Sequence, residues 1–154
     1  MTDAPVILSV APAGDVIALD LWEGDPPAAP GLLQVEPRRW WLIDAADRVA
    51  EIAAQVGDKG ALAPIGGGLV RATLRGPGWR ALLMVSGCFD AEDSGFASGS
   101  VAATVIHHVP VWIAPASDDE CHVYMATSYA PTLIALWTRV IGTPPSSSVP
   151  PGTA

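Results

Sequence analysis

Residues 69–90, LVRATLRGPGWRALLMVSGCFD, constrain the fold most, because they predict a strand, a tight turn and a short helix in succession. Apolar and polar residues alternate through LVRATLR, which is typical of a half-buried strand. Pro77 is expected in the first turn of the helix and Gly87 at its end. The buried face of this helix is predicted to comprise Trp79, Leu82 and Leu83. The unit is too apolar to fold alone, so the neighbouring segments must cover it.

The remaining strands are short and are separated by turn residues. Strands are predicted at residues 6–10, 16–22, 32–35, 40–43, 61–65, 101–108, 109–114 and 121–126. The first two of these are expected to form a hairpin or two edge strands. A proline-rich connector, EGDPPAAP, follows them, and prolines exclude it from a helix or a central strand.

Two further helices are predicted from apolar periodicity. Asp44 is expected to cap the first, which Gly57 ends, and its buried face is predicted to comprise Val49, Ile52, Ala53 and Val56. Ser128 is expected to cap the second, which Gly142 ends. The buried face of this last helix is predicted to comprise Ala130, Leu133, Ile134, Trp137 and Val140.

This order of elements predicts an α+β fold of antiparallel sheets with three helices, which are expected on one face of the sheet. A chain of 154 residues is expected to form one domain. That domain is predicted to comprise residues 1–142, with N-terminal strands and the connector in 1–30. Residues 143–154, TPPSSSVPPGTA, have no apolar periodicity and are predicted to be a disordered tail.

Composition and charge exclude several classes of function. Charged residues make up 16 % of the chain, below the roughly 25 % of ordinary soluble domains, which favours a large core together with a buried interface. The net charge of −8 argues against nucleic-acid or anionic-membrane partners. No apolar run reaches the ~18 residues of a membrane span. Without a basic N-terminal region typical of a secretory signal, a cytoplasmic location and two free thiols are expected.

Cysteine and histidine residues are the first candidates for chemistry. Cys88 follows the predicted end of a helix and precedes three acids, so the local field opposes a thiolate and favours a structural thiol. His107, His108, Cys121 and His122 raise the question of a zinc site. Adjacent residues on a strand point to opposite faces, so at most one of each pair could share a site. Histidines at a strand edge or an interface are the favoured interpretation.

Two glycine-rich segments are candidates for anion sites. Gly66–Gly68 lead into a strand rather than a helix and lack phosphate-loop spacing, so they are predicted to form a turn. The GPG sequence at residues 76–78 does lead into a predicted helix. It leaves open a weak anion site, beside the simpler interpretation that it serves packing.

The sequence RRWW gives the candidate interface residues Arg38, Arg39, Trp40 and Trp41. Arginine and tryptophan are enriched in protein interfaces. Neighbouring strand residues face opposite sides, so either a partner covers one tryptophan or both faces of the sheet are covered within the chain. No catalytic triad, paired carboxylate frame, metal site or nucleotide fingerprint is recognisable, and no catalytic or cofactor-binding residue is predicted in this chain.

Four blocks of sequence resemble the sarcosine oxidase gamma-subunit family. VEPRRWWLIDA is similar to its G-P-x-E-W-L-L entry, and LRGPGWRALLMVSGCFD to its L-x-G-P-x-A-R-x-x-L-x-x-G-C-x-x-D. GFASGSVAATVI resembles F-x-x-G-x-x-A-x-T-x-L, and TSYAPTLIALW resembles R-S-F-A-x-x-L-W. The blocks occur in the family's order over residues 34–141. The chain departs from the family at APIGGG, where a D-x-S is usual, and at Thr127, where arginine is usual.

The resemblance implies a fold related to the folate-binding T-protein of glycine cleavage. It implies a non-catalytic small subunit of a flavin-dependent heterotetramer that oxidatively demethylates an N-methyl amino acid. FAD, FMN, NAD and tetrahydrofolate would then be held by partners, namely the larger alpha and beta subunits and a small delta subunit. Methylglutamate dehydrogenase-type complexes carry a similar small subunit, so the amine substrate stays open.

An alternative of another class is a free-standing folate-binding or one-carbon transfer protein of T-protein-like fold. Its anion contacts would be Arg71, Arg75 and the turn at residues 76–78.

Overall fold

A computed structural model describes residues 5–85, 87 and 89–142 of the chain. These residues form two antiparallel sheets and three α-helices, which confirms the predicted α+β class. The strands are β1 (Ile7–Pro12), β2 (Val16–Leu21), β3 (Leu32–Glu36), β4 (Arg39–Ile43), β5 (Gly60–Pro64), β6 (Leu69–Arg75), β7 (Ala102–Ile106), β8 (Val109–Ser117) and β9 (Glu120–Ala126). The helices are α1 (Val49–Val56), α2 (Trp79–Leu83) and α3 (Ala130–Ile141). The predictions for Cys88 and for residues 143–154 lie outside the described residues.

The two sheets interleave along the chain. The five-stranded sheet has the order β1-β6-β9-β8-β7, and the four-stranded sheet has the order β3-β4-β2-β5. The expected pairing of the first two strands is therefore wrong, because β1 pairs with β6 whereas β2 pairs with β4 and β5. β1 is an edge strand as expected, but β2 is an inner strand, since β4 pairs with it on one side and β5 on the other.

Three apolar clusters divide the molecule into four layers. One cluster joins α1 to the outer face of the four-stranded sheet, and a second joins α2 and α3 to the outer face of the five-stranded sheet. The third lies between the sheets and includes Trp41, Ala114 and Tyr124. The helices consequently lie on the outer faces of the two sheets, so each sheet carries helices on one face, as predicted. Two strand sets with alternating apolar residues bury their inner faces against each other.

The start of α1 differs from the prediction. A 3-10 helix, Ala46–Arg48, precedes α1, and its first N–H is 3.3 Å from Asp15 Oδ2. Asp44 is therefore not the cap, and its φ of 55° lies in the left-handed region. Ile52 is buried as predicted but Ala53 is exposed. Gly57 ends the helix as predicted.

The ends of α2 and α3 also depart from local rules. Pro77 precedes α2 rather than entering it, and Gly87 pairs in an isolated bridge with Ile106 instead of capping the helix. α3 begins after Tyr129, without a side-chain cap from Ser128. The predicted core faces hold for Trp79, Leu82 and Leu83 and for Ala130, Leu133 and Trp137, with Ile134 partly buried, whereas Val140 is exposed.

Candidate interaction surfaces

His107 and His108 form the tip of the hairpin between β7 and β8. Both have positive φ, 50° and 68°, so they make a two-residue turn of the type that asparagine and glycine favour. The prediction that they lie on a strand is wrong. Their rings are exposed, with centroids 5.9 Å apart. The tip therefore presents two imidazoles to the surroundings.

Cys121 and His122 lie on opposite faces of β9, as alternation predicts. Cys121 is in the core, where burial raises the pKa of its thiol. His122 lies on the other face, with Nε2 2.9 Å from Glu120 Oε2. The four residues considered as zinc ligands are thus spread over a turn, a core and a sheet face. Across residues 5–85, 87 and 89–142, no three potential metal ligands cluster.

A row of polar side chains, Arg75, Glu120 and His122, lies on the neighbouring strands β6 and β9, on the face opposite α2 and α3. Arg75 lies opposite Glu120 in the β6–β9 register, with Nε 3.2 Å from Oε1. The hydrogen bond from His122, followed by the contact with Arg75, lowers the pKa of Glu120 against the opposing effect of partial burial. The carboxylate is therefore held ionised between two donors, and Arg75 is already paired.

The GPGWR segment at residues 76–80 holds neighbouring loops in place. The N–H of Gly76 donates to Asp119 O at 2.7 Å, and the N–H of Gly78 lies 3.4 Å from Pro5 O. The buried indole of Trp79 donates to Asp118 O at 2.8 Å. These donors already have acceptors within the chain. The contacts of this turn therefore favour the packing interpretation over an anion site.

Arg80 is a structural residue that no sequence pattern singled out. Its guanidinium lies over the ring of Trp79 at 4.3 Å, and Nη1 donates to the carbonyls of Ala91 at 2.6 Å and Phe96 at 3.0 Å. It thereby fastens the polar loop that follows α2 to the core. The sequence feature that could have predicted this role is an arginine directly after a tryptophan in an apolar helix. A guanidinium in such surroundings needs hydrogen-bond or aromatic partners.

Trp40 and Trp41 are both buried within the chain. Trp40 packs beneath α1. Trp41 packs between the sheets, against Trp112 at a centroid distance of 4.9 Å and against the edge of Tyr124 at 5.8 Å. The second alternative for this pair therefore holds, because both faces of the sheet are covered from within.

Arg38 and Arg39 differ in how far they are engaged. Arg38 has a φ of 66° and donates to Leu21 O at 3.1 Å and Gly24 O at 2.7 Å, which fixes the start of the proline-rich connector. Arg39 Nε lies 2.6 Å from Asp20 Oδ1 in an exposed ion pair. Both arginines are exposed, whereas both tryptophans are buried. The predicted interface role of the RRWW residues stays a prediction.

Gly66 explains why the triple glycine forms a turn. A Cβ at this buried position would lie against the carbonyl oxygen of Gly14, so only glycine permits the close approach of the two backbones. Gly66–Gly68 form a 3-10 helix that leads into β6, consistent with the predicted turn.

Two open depressions mark the surface of the described residues. One, of about 210 Å³, lies between the connector and the end of α1, where Glu23, Asp25 and Lys59 line it. The other, of about 400 Å³, lies against residues 89–102. There, Asp90 and Asp93 accept hydrogen bonds from N–H groups two residues onward, so their carboxylates shape local turns.

No described helix is long and apolar enough to cross a membrane.

Comparison with known proteins supports the fold. No family model matches the sequence, and no curated protein matches it. Among solved structures, the chain is similar to heterotetrameric sarcosine oxidase from Corynebacterium sp. U-96, solved in complex with pyrrole 2-carboxylate. The TM-score is 0.76 at 14 % sequence identity, and the match covers 90 % of this chain and 84 % of the other. The chain therefore shares its fold with a chain of that complex.

Proposed function

We propose that this chain is the non-catalytic small subunit of a flavin-dependent, sarcosine oxidase-type heterotetramer. The complex would oxidatively demethylate an N-methyl amino acid, and this chain would serve its assembly and stability. FAD, FMN, NAD and tetrahydrofolate would be held by the larger alpha and beta subunits, with a small delta subunit completing the assembly. The proposed location is the cytoplasm.

The observation that carries this proposal is the fold match over nearly the whole chain. A TM-score of 0.76 over 90 % of the sequence includes both sheets, not one shared motif. The four sequence blocks, whose order follows the gamma-subunit family, add support that does not depend on coordinates.

The contacts of the polar groups in these blocks agree with a structural role. The side chains in the GPGWR block bind loop carbonyls, and Arg38 binds the connector. Arg75 is paired with Glu120. Catalysis and cofactor binding are therefore assigned to partners, and this chain is assigned the task of presenting surfaces to them.

Affinity purification of the tagged chain from its native host tests the proposal. We expect two larger subunits to elute in stoichiometric amounts, with flavin absorbance, and the eluate to oxidise sarcosine or N-methylglutamate. The proposal fails if the chain elutes alone, or if the purified single chain itself binds flavin and oxidises the amine.

The free-standing folate-binding alternative has less support. Two of its three anion contacts are engaged within the chain, since Arg75 pairs with Glu120 and the N–H of Gly76 donates to Asp119. Arg71 lies between the sheets beside Tyr124, where its Nε is buried without a hydrogen-bond partner among the described residues. Equilibrium titration of the single chain with tetrahydrofolate decides, and saturable binding would favour the alternative.

A further inference from the structure

Most arginine side chains in the described part of the chain have an oxygen acceptor. Those of Arg38, Arg48 and Arg80 donate to backbone carbonyls, and two further arginines pair with carboxylates. Arg71 differs from them. No described carboxylate forms an ion pair with it, and its Nε is buried without a hydrogen-bond partner.

Arg71 lies in β6, on the face that is turned toward the four-stranded sheet. In the strand register it is opposite the buried Tyr124 on one side and the exposed Ala11 of the edge strand β1 on the other. This row of residues runs from the core to the surface, and Arg71 itself is partly exposed. Its side chain is therefore placed where the space between the sheets opens to solvent.

The groups around Arg71 do not balance its charge. Burial raises the pKa of Tyr124 although Arg71 opposes this effect, so the neighbouring hydroxyl is neutral. Asp44 is near enough to raise the pKa of Tyr124 as well, but it forms no ion pair with Arg71. Acidic residues outnumber basic ones 16 to 8 in the chain, so the missing carboxylate does not reflect a shortage of acids. A partly buried charge without a counter-charge is unfavourable, and an external anion would relieve it.

The chemistry of the guanidinium specifies this anion. Its planar group presents paired N–H donors that match the two oxygens of a carboxylate. Because Nε is enclosed, we expect the carboxylate to meet the terminal Nη atoms. Partial burial would strengthen the pair, since the effective dielectric constant is lower between the sheets than in water.

We propose that Arg71 binds a carboxylate side chain of a larger partner subunit, which enters the space between the sheets beside β1. The proposal rests on the proposed function, because a partner of different sequence follows from assembly into a heteromer. A carboxylate from another chain accounts for an arginine that this chain's own acids leave unpaired.

The variant Arg71→Met tests the proposal, because methionine keeps much of the length of the side chain and removes its charge. Replacement of an arginine that serves the fold lowers stability, whereas removal of an unpaired charge does not. The substitution is made in a Tyr124→Phe background, which removes the hydroxyl that would otherwise be left without Arg71. We expect the thermal midpoint of Arg71→Met in this background to be no lower than that of Tyr124→Phe alone.

Binding of the same variant to the co-expressed larger subunits should be at least about tenfold weaker than that of Tyr124→Phe alone. The matched control is Arg48→Met in the same background, since Arg48 donates to Pro30 O at 3.1 Å within the chain, and it should bind normally. Equal binding by the two variants overturns the proposed contact but leaves the proposed function intact. A lower midpoint for Arg71→Met also overturns it, because Arg71 would then serve the fold of this chain. Failure of the wild-type chain to bind at all refutes the proposed function, and with it the partner assigned here.

Phenylglyoxal, which modifies accessible arginines, gives an independent measurement on the wild-type chain. With the larger subunits at saturation, mass spectrometry should find Arg71 modified at least about tenfold more slowly than in the single chain, with Arg48 as the comparison. Equal modification of Arg71 in a complex that does form overturns the proposal.

Thermal melting in sodium acetate and in sodium chloride, at equal ionic strength, separates a partner's side chain from a free carboxylate. We expect the two salts to give the same midpoint for the single wild-type chain. If acetate raises that midpoint but not the midpoint of Arg71→Met, the occupant is a small anion and the partner assignment is wrong.

Discussion

Trp41 and Trp112 pack against each other across the space between the two sheets, with ring centroids 4.9 Å apart and planes inclined by 50°. Trp41 belongs to β4 of the four-stranded sheet and Trp112 to β8 of the five-stranded sheet. The edge of Tyr124 completes the contact with Trp41. This aromatic contact holds together two sheets that belong to separate hydrogen-bonded ladders.

Truncation of Trp41 should therefore destabilise the whole domain. Trp41→Ala removes a buried indole from the junction, and we expect the free energy of unfolding to fall by about 3–5 kcal/mol. Denaturant titration followed by circular dichroism measures it. The matched control is Trp22→Ala, at an indole that is 61 % exposed and donates to Asp58 O at 2.9 Å, where a loss of about 1 kcal/mol or less is expected. Equal losses at the two sites would contradict the assigned role.

Sequence alternation predicted that Trp40 and Trp41 face opposite sides, but not what covers each face. The facing direction follows from the strand period, which is local. Trp40 is covered by α1, and Trp41 is covered by β8 and β9. These elements lie far away in the sequence, so the residues next to the tryptophans do not indicate them. The same limit explains β1, whose neighbour along the chain is β2 but whose partner in space is β6.

Helix faces were predicted better than helix ends. Apolar periodicity placed Ile52, Leu133 and Trp137 correctly, because burial of an apolar stripe contributes most of the stability of a helix in a folded domain. The first turn before α1 instead receives its acceptor from Asp15, which lies far back in the chain. The histidine turn was missed because the flanking residues favour strands and no glycine or asparagine marks the tip.

Gly76 should tolerate no side chain. Its φ is 125°, and a Cβ there would lie against the carbonyl oxygen of Pro5. We expect Gly76→Ala to lower the free energy of unfolding by about 2 kcal/mol or more, because backbone strain and the clash add. Gly67→Ala is the control, since a Cβ at Gly67 meets open space. Thermal melting of both variants measures the difference, and an unchanged midpoint for Gly76→Ala would refute this prediction.

Substitutions in the turn at His107 and His108 should stabilise the domain. Positive φ costs non-glycine residues about 1 kcal/mol each, whereas Asn-Gly is the preferred pair for such a turn. We expect His107→Asn/His108→Gly to raise the free energy of unfolding by about 1 kcal/mol. The control His107→Ala/His108→Ala removes both rings without relieving the backbone and should give no gain. A gain in the alanine pair would show that the rings, rather than φ, carry the cost.

The thiol of Cys121 should be unreactive in the folded chain. Burial raises its pKa, and the thiolate is the reactive form. In a Cys88→Ser background, which leaves Cys121 as the single thiol, a disulfide reagent at about pH 8 should label the chain only after denaturant is added. Rapid labelling of the native chain would contradict the burial. The same assay on the unfolded chain controls for intrinsic reactivity.

The Arg75–Glu120–His122 row should make the free energy of unfolding depend on pH in the acidic range. The pKa of Glu120 is lower in the folded chain than the roughly 4.3 of a free glutamate, because His122 and Arg75 donate to its charged form. Ionised Glu120 therefore stabilises the folded state at pH values above the pKa of a free glutamate. This stabilisation is lost as the pH falls through the lower pKa that Glu120 has in the folded chain. We expect Glu120→Gln to lower the free energy of unfolding at about pH 7 by less than about 1 kcal/mol, since the group is partly solvated.

At about pH 3 the difference between Glu120→Gln and the wild-type chain should shrink, because protonation removes the charge that the substitution removes. Urea titrations at the two pH values measure it. Glu36→Gln is the matched control, since Glu36 faces Arg39 at 3.6 Å in a more exposed pair, and its effect should be close to zero at both values. A difference for Glu120→Gln that stays constant with pH would mean that the side chain acts through packing, not through its charge.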